Sequence, residues 1–288
     1  MHRIVNWNEL WKAIFASSPG RIEKEKDPGA VWDRKARAYQ KATRGEQESA
    51  ERDLAYVRLL PTDTVLDMGA GTGRLAVPMA RRVSHVTALD ASSGMLSILR
   101  ENMGRAGLAN YTCVHMRWED VVVGRDIAPH DVVVAAFSLG IYDLAAALEK
   151  LDAAARRAVY LFWHAGEWRG PDEMELYRAV FGELGAARKG YPDYIFPLNI
   201  LHDAGIYASV RIYDAGWETT YASVDEAAES WIALHCPGLK DSTPVREYFA
   251  RRLRREREGG PLAYRVTRRT AVVWWEKPQE TRDRKDTD

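Results

Sequence analysis

The sequence predicts an α/β fold built on a parallel sheet with helices on both faces. Three observations carry this prediction. From residue 62 onward, short apolar runs alternate with helical segments. A glycine cluster follows the first apolar run, and an acidic residue ends the second.

The first 60 residues are predicted to form a helical cap. Apolar side chains in the first segment recur at i, i+3, i+4 and i+7, the spacing of an amphipathic helix. They are Trp7, Leu10, Trp11, Ile14 and Phe15. Two more helices are expected over 31–43 and 46–60, and Pro61 ends the region.

Five strands alternate with helices in the next hundred residues. The strands are predicted over 64–67, 86–89, 111–115, 131–137 and 158–163. Helices are predicted over 74–82, after Ser92 or Ser93, and over 144–155. Pro78 should weaken or bend the first of these helices.

The remainder of the chain is less regular. Helices are expected over 173–186 and 198–204, and strands over 207–213 and 264–275. Helical segments are also predicted over 225–234 and 245–258, and a minimal sheet fold does not need them. They predict a helical insertion, residues 215–260, over the ligand edge of a domain spanning 61–276. The polar residues 277–288 are predicted to be a disordered tail.

The composition of the chain argues against several classes of function. The 288 residues include 41 Lys and Arg and 41 Asp and Glu, so net charge gives no global reason to bind nucleic acid or an anionic membrane. Neither a signal peptide nor a run of about 18 apolar residues is found. Cys113 and Cys236 are far apart, which fits reduced thiols, and the seven histidines are scattered. We expect a cytoplasmic protein with no metal and no membrane partner.

The strongest local signal is Asp67-Met-Gly-Ala-Gly-Thr-Gly73, between a predicted strand and a predicted helix. Glycines let the backbone turn sharply and approach a ligand closely. Asp90, at the end of the next strand, can accept hydrogen bonds from both ribose hydroxyls. Together these residues predict an adenosine-containing ligand at the carboxyl ends of the strands.

The ligand is expected to be S-adenosylmethionine rather than a dinucleotide. Dinucleotide sites usually carry Gly-x-Gly-x-x-Gly, whereas this loop is Gly-x-Gly-x-Gly with Asp67 two positions ahead of it. A carboxylate there would repel a pyrophosphate and attract an ammonium. S-adenosylmethionine carries an ammonium and a sulfonium and has no phosphate.

Three stretches carry a resemblance to a known family. They are Val65-Leu-Asp-Met-Gly-Ala-Gly-Thr-Gly-Arg-Leu75, Ala88-Leu-Asp-Ala-Ser-Ser-Gly-Met-Leu96 and Trp118-Glu-Asp120, within residues 62–165. This region resembles the class I S-adenosylmethionine-dependent methyltransferases. The resemblance implies a doubly wound, seven-stranded, mostly parallel sheet whose last strand is antiparallel. It implies that the cofactor is bound by Asp67, Gly69, Ala70, Gly71, Gly73, Asp90, Ala91 and Met95.

The segment after the third strand departs from the family pattern. Arg117 and Trp118 stand where such enzymes often have an acid and a small residue. Arg117 cannot accept a hydrogen bond from the adenine amino group, so Glu119 is the expected partner and Trp118 is expected to supply a backbone amide. The resemblance also places Phe137 and Ser138 beside the methyl group.

The catalytic candidates are His164, at the end of the fifth strand, and Tyr142. A general base is required only if the acceptor is protonated at the working pH. An aromatic wall around the acceptor is a further hypothesis, drawn from Tyr142, Trp168, Tyr191 and Tyr194. Trp32 and Tyr39, seven residues apart on one helical face, could cap the cofactor.

The sequence therefore predicts a methyltransferase with a small-molecule acceptor, because a cap and an insertion should enclose the site. Several alternatives stay open. A protein or RNA acceptor would be favoured by a basic surface at 246–257, which contains six arginines. The others are a nicotinamide-dependent oxidoreductase and a non-catalytic S-adenosylmethionine-binding protein.

Overall fold

A mostly parallel sheet organises the chain in a computed structural model that describes residues 5–17, 26–43, 47–167, 170–187, 192–255 and 257–278. Its strands are β1 (Thr64–Met68), β2 (His85–Asp90), β3 (Tyr111–His115), β4 (His130–Ala136), β5 (Ala155–His164), β6 (Ser209–Tyr221), β7 (Arg254–Arg255) and β8 (Leu262–Glu276). Their order is β3-β2-β1-β4-β5-β8-β6, and the two-residue β7 also pairs with β8. Strands β1 to β5 are parallel, and β8 is antiparallel to β5 and β6. The expected sheet with an antiparallel last strand is confirmed.

Alternate residues of the parallel strands pack into two cores on opposite faces of the sheet. Val65 and Val132 face a core that includes α3 (Gln47–Leu54), α4 (Ala76–Ala80) and α5 (Ser93–Arg105). Leu66 and Val133 face the other core, with α1 (Trp7–Ala16), α6 (Leu144–Ala154) and α8 (Ile195–Asp203). Because both faces are covered, the strands are apolar along most of their length.

The N-terminal helices have two different roles. The Trp11 indole of α1 is buried and donates a hydrogen bond to the Ile141 carbonyl at 2.8 Å, so α1 belongs to the core of the sheet domain. The next helix, α2 (Pro28–Ala42), begins with Asp27 as its N-cap and lies against α5. Only α2 and α3 are therefore left to form the expected cap among the described residues.

The helix after the glycine loop is shorter than the predicted range 74–82. It spans only Ala76–Ala80. Proline has no amide hydrogen and is tolerated only in the first turn of a helix. A helix that starts at Ala76 places Pro78 in that first turn, which explains the late start.

Three helices form a separate lid beyond the sheet: α7 (Pro171–Ala187), α9 (Val224–His235) and α10 (Thr243–Arg252). Their shared core contains buried side chains from all three helices and from the end of β6, among them Tyr177, Tyr221, Trp231 and Phe249. We call this cluster the lid core. Helix α7 precedes the predicted insertion in sequence, and its place in the lid was not expected.

The expected boundaries of the insertion are corrected by the strands that lead to it. Residues 215–221 continue β6 as a strand and pair with β8, Ala215 opposite Arg268 and Tyr221 opposite Leu262. The helix expected over 245–258 ends at Arg252, because Arg254 and Arg255 pair with β8. The two long strands form a ribbon that extends from the sheet to the lid.

Most of the predicted tail, residues 279–288, lies outside the described residues. Within the described ranges, none of the helices combines the length and apolarity required for a membrane span.

Candidate functional site

The glycine loop between β1 and α4 is fixed to the neighbouring strands. The amides of Gly69 and Ala70 both donate to the Leu89 carbonyl at the end of β2, at 2.8 and 3.0 Å. Gly69 has a φ of 74°, and a Cβ added there would lie 2.3 Å from the Ser138 Cβ. Both facts require glycine at this position.

Asp90 is oriented by the backbone around it. Its Oδ2 accepts a hydrogen bond from the Gly71 amide and its Oδ1 from the Ser92 amide, both at 2.8 Å. Burial raises the pKa of the Asp90 carboxyl, and these two amides oppose the rise. A carboxylate oxygen can accept more than one hydrogen bond, so Asp90 keeps acceptor capacity for ribose hydroxyls.

The space above the loop fits an adenosyl ligand. A Cβ added at Gly71 would meet no described atom within 4 Å, so the loop backbone borders open space there. Gly71 and Asp90 border a cavity of about 890 Å³. The other predicted cofactor residues on its wall are Gly69, Ala91, Met95, Trp118, Glu119, Phe137 and Ser138.

Trp118 and Glu119 lie in a short 3-10 turn, Trp118–Asp120, after β3. The Trp118 indole is buried and donates to the Ala147 carbonyl at 3.2 Å. Glu119 forms an ion pair with Arg117 at 3.1 Å. Their roles toward adenine stay predictions.

Three predicted cofactor residues are not among the described residues of the cavity wall. Gly73 packs against Leu99 and Val77, which makes it a close-packing position. Ala70 is buried in the sheet core. Asp67 is 2% exposed beneath the loop, and burial raises the pKa of its carboxyl to about 7, against the opposing charge of Arg74. Direct contact of these side chains with the cofactor remains a prediction.

The catalytic candidates occupy different places. His164 lies on the cavity wall at the end of β5, and its ring centroid is 5.0 Å from that of Phe137. Tyr142 is 41% exposed, and its ring contacts Phe15 and the Lys12 ammonium of α1 instead. Of the two catalytic candidates, His164 therefore lies on the cavity wall, whereas Tyr142 is not among the described residues that line the cavity.

The other aromatic residues predicted to surround the site lie in different places in the structure. Trp32 and Tyr39 of α2 both line the cavity and pack edge to face at 5.7 Å. The Tyr194 amide donates to the His164 carbonyl at 2.9 Å, but its side chain packs in the sheet core. Trp168 and Tyr191 lie outside the described residues.

Phe137 has an unusual backbone. Its φ of 55° lies in the left-handed region that side chains rarely adopt. The ring is 39% exposed and faces the cavity between the glycine loop and His164. Strained backbone of this kind is concentrated at functional sites, where surrounding structure holds it in place.

The lid half of the cavity was not predicted residue by residue. Every second residue of the β6–β8 ribbon faces inward, because successive side chains of a strand alternate between its faces. The inward residues are Ala215, Trp217, Thr219, Tyr221, Tyr264, Val266, Arg268 and Thr270. Alternation along the two strands is the sequence signal that could have identified these wall residues. It could be used only if β6 was known to continue past Tyr213.

Helices of the lid complete this half. Glu173, Tyr177, Trp231, His235 and Phe249 all contribute to the wall. Glu173 and Arg268 lie 3.6 Å apart as an ion pair, and the Arg268 guanidinium lies 5.0 Å from the Trp217 ring. The lid half of the cavity, which we call the chamber, thus combines aromatic surfaces with an ion pair.

Helix α2 connects the two halves. Its Asp33 accepts hydrogen bonds from the Ser92 hydroxyl and the Gly94 amide, at 2.6 and 2.7 Å, beside the Asp90 loop. At its other end, Lys41 forms an ion pair with Glu226 of α9 at 2.8 Å. The helix therefore spans from the cofactor half to the lid.

Comparisons of the sequence agree with this geometry. A family described as a methyltransferase domain matches residues 65–158. An uncharacterized protein of Haemophilus influenzae is 30% identical over 257 residues, which cover 86% of this chain and 89% of that protein. The 23S rRNA (uracil(1939)-C(5))-methyltransferase RlmD of Klebsiella pneumoniae is 33% identical over 84 residues, which cover 29% of this chain and 19% of that protein.

Solved structures share the fold at low sequence identity. The magnesium protoporphyrin IX methyltransferase of Synechocystis PCC 6803, with bound S-adenosylhomocysteine, is 20% identical with a TM-score of 0.51, covering 67% of this chain and 92% of that chain. The [4+2]-cyclase SpnF is 14% identical with a TM-score of 0.55, covering 88% and 96%. The glycine loop, the acid that ends β2, the sheet order and the family match lead to one assignment: the chain belongs to the class I S-adenosylmethionine-dependent methyltransferases.

Proposed function

We propose that this methyltransferase acts on a small molecule that binds in the lid half of the cavity. The observation that carries the proposal is the cavity itself, which continues from the glycine loop to the lid core and has a volume of about 890 Å³. Small-molecule sites typically occupy roughly 300–1,000 Å³. The volume supports a cofactor and a compact acceptor side by side.

The chamber walls favour an acceptor with a planar or apolar body. Trp217 and Tyr264 come from the ribbon, and Trp231 from the lid. Flat aromatic faces stack on planar groups and bury apolar surface. The Glu173–Arg268 pair offers either a carboxylate or a guanidinium to a polar substituent of the acceptor.

Methyl transfer requires the acceptor atom and the methyl group to be held in line, and correct positioning alone contributes roughly 7–11 kcal/mol. Phe137 and Ser138 lie where the two halves meet, next to the glycine loop. His164 lies beside Phe137 and is the base we propose for an acceptor that must lose a proton.

The test is a labelling experiment with S-adenosylmethionine that carries tritium in its methyl group. A cell extract is divided by ultrafiltration into small-molecule and macromolecule fractions, and each is incubated with the enzyme. We expect label in the small-molecule fraction. Asp90→Ala should abolish this label by weakening cofactor binding, whereas Trp217→Ala should lower it while cofactor affinity is retained.

Label found only in RNA or protein would contradict the proposal. The arginines at 251, 252, 254 and 255 are exposed and would then be the surface to examine. The match to the rRNA methyltransferase covers only 84 residues, which supports a shared cofactor domain more than a shared acceptor.

A further inference from the structure

The β6–β8 ribbon gives the chamber a measurable length. At the sheet end of the ribbon, Thr270 pairs with His164 of β5 and with Tyr213 of β6. Tyr264, six residues before Thr270 in β8, also lines the cavity. A strand advances about 3.3 Å per residue, so this wall extends roughly 20 Å from the edge of the sheet toward the lid.

Helix α2 provides a second wall of similar length. Trp32 and Thr43 both line the cavity, and the eleven residue steps between them correspond to about 16 Å of helix. The first part of α2 lies beside the cofactor loop, where Asp33 accepts its hydrogen bonds. The end of α2 contacts the ribbon, because the Thr219 hydroxyl donates to the Ala42 carbonyl at 3.0 Å. Both walls therefore lead from the cofactor half to the lid.

The charge on the ribbon wall is confined to the end near the cofactor. Arg268 follows Thr270 as the next inward residue of β8, and its ion pair with Glu173 lies at this level. The inward ribbon residues between this level and the lid are all uncharged: Trp217, Thr219, Tyr221, Tyr264 and Val266. A charged group of a ligand would lack a counter-charge on this part of the ribbon and would be costly to bury there. An apolar group would gain from burial against the same surface.

The volume of the cavity limits the width of such a ligand. The cavity of about 890 Å³ must hold the cofactor as well as the acceptor. A molecule that extends from Arg268 to the lid core within the remaining space has to be narrow. The length of the walls and the position of the charges thus describe a molecule with one polar end and one apolar end.

We propose that the acceptor carries a long, narrow apolar chain. Its reacting polar head lies beside the cofactor, at the level of the Arg268–Glu173 pair, and its chain lies along the ribbon and ends against the lid core. This inference rests on the proposed function, because it specifies which class of small molecule the chamber accepts.

The test uses straight-chain primary alcohols as probes: hexanol, octanol, decanol and dodecanol. Their affinities for the whole chain, saturated with S-adenosylhomocysteine, are measured by the change in tryptophan fluorescence, since Trp217 and Trp231 line the chamber. Each added methylene should strengthen binding about three- to four-fold, because it buries more apolar surface along the ribbon. Affinity that does not increase beyond hexanol would overturn the inference.

A variant that blocks the far part of the chamber tests the position of the chain. Thr219→Phe places a ring two inward positions beyond Ala215, which pairs with Arg268. It should weaken dodecanol binding about ten-fold or more and leave hexanol binding unchanged. Equal weakening of both alcohols would contradict the proposed arrangement.

Two controls accompany this variant. Thr219→Val removes the hydrogen bond to Ala42 without filling the chamber, so the chain-length dependence should persist. Thr220→Phe adds the same ring at the exposed neighbouring position, and all four affinities should stay as in the wild type. A loss in Thr219→Val equal to that in Thr219→Phe would assign the effect to the hydrogen bond and overturn the inference.

The result can be separated from a failure of the proposed function. Alcohol binding without chain-length dependence overturns the chain-binding inference even if small molecules from a cell extract are labelled. Label confined to RNA or protein contradicts the proposed function, whatever the affinities for the alcohols.

Discussion

The three glycines of the loop are the same residue type, but each position favours glycine for a different physical reason. All have positive φ. Gly69 also lies against Ser138, Gly71 faces open space, and Gly73 packs on Leu99. A side chain would therefore clash at the first, enter the cofactor cavity at the second and disturb helix packing at the third.

Gly69→Ala is predicted to be far more destabilising than Gly107→Ala. Gly107 has a similar φ of 68°, but a Cβ added there would meet no described atom within 4 Å, so alanine should cost about 1 kcal/mol in backbone strain alone. At Gly69 the clash with Ser138 adds to this strain, and we expect a loss of about 3 kcal/mol or more. Urea denaturation of both variants measures the difference, and equal losses would show that the contact with Ser138 is easily relieved.

At the scale of elements, the lid has its own core. The lid core joins α7, α9 and α10 to the end of the ribbon, and it is separate from the two cores that cover the sheet. Elements with independent cores can open without global unfolding. We therefore expect the lid to loosen while the sheet and its cofactor residues stay folded.

Phe249→Ala tests this independence. Phe249 is buried in the lid core, and removing such a ring typically costs about 3–5 kcal/mol. We expect faster hydrogen exchange at amides of α7, α9 and α10, with unchanged exchange in β1 and β4. The comparison variant is Leu66→Ala in the sheet core, which should raise exchange throughout the molecule. A uniform rise in the Phe249 variant would argue against a separate lid.

The β6–β8 ribbon is an element that the sequence predicted only in part. Tyr207 to Tyr213 was recognisable as a strand, but the continuation to Tyr221 contains Asp214, Gly216 and Glu218, which are poor strand formers in isolation. Their strand conformation depends on pairing with β8, some fifty residues later in the chain. Non-local pairing of this kind leaves a weak trace in a single sequence.

For the whole molecule, the fold and the identity of the cofactor could be predicted from the sequence, and the lid half of the cavity could not. Alternating strands and helices predict the sheet, and the loop with Asp90 predicts the ligand edge, because both are local patterns. The lid half of the cavity, where we propose that the acceptor binds, is lined by residues between 173 and 270 on five elements. Arg74 stands next to the glycine loop in the sequence, but its hydrogen bond to Asp53 is a tertiary property.

The stability of the molecule should depend on pH through Asp67. Burial raises the pKa of this carboxyl from an ordinary value near 3.8 to about 7. The folded state then holds its proton more tightly than the unfolded state does. Stability from this group is present below about pH 4 and falls as the pH rises toward 7, by up to about 4 kcal/mol.

Asp67→Asn removes this titration. The free energy of unfolding, measured by denaturant titration at several pH values from 4 to 8, should fall less steeply with pH in the variant than in the wild type. Asp90, whose pKa burial also raises, remains in both proteins, so the difference between the two curves reports the Asp67 carboxyl together with its charge interaction with Asp90. Parallel curves would mean that the Asp67 carboxyl titrates as it does in the unfolded chain.

The alternation along the ribbon separates two sets of positions that can change independently during evolution. Outward residues carry the ion pairs Arg265–Glu218 and Arg269–Asp214, while inward residues such as Trp217 and Tyr264 shape the chamber. Under the proposed function, exchange of an inward side chain alters which acceptors fit without disturbing strand pairing. Deletion of one residue, in contrast, would exchange the two faces of that strand at once. Descendants of this chain should therefore diverge in acceptor preference by point substitution along the ribbon rather than by changes in its length.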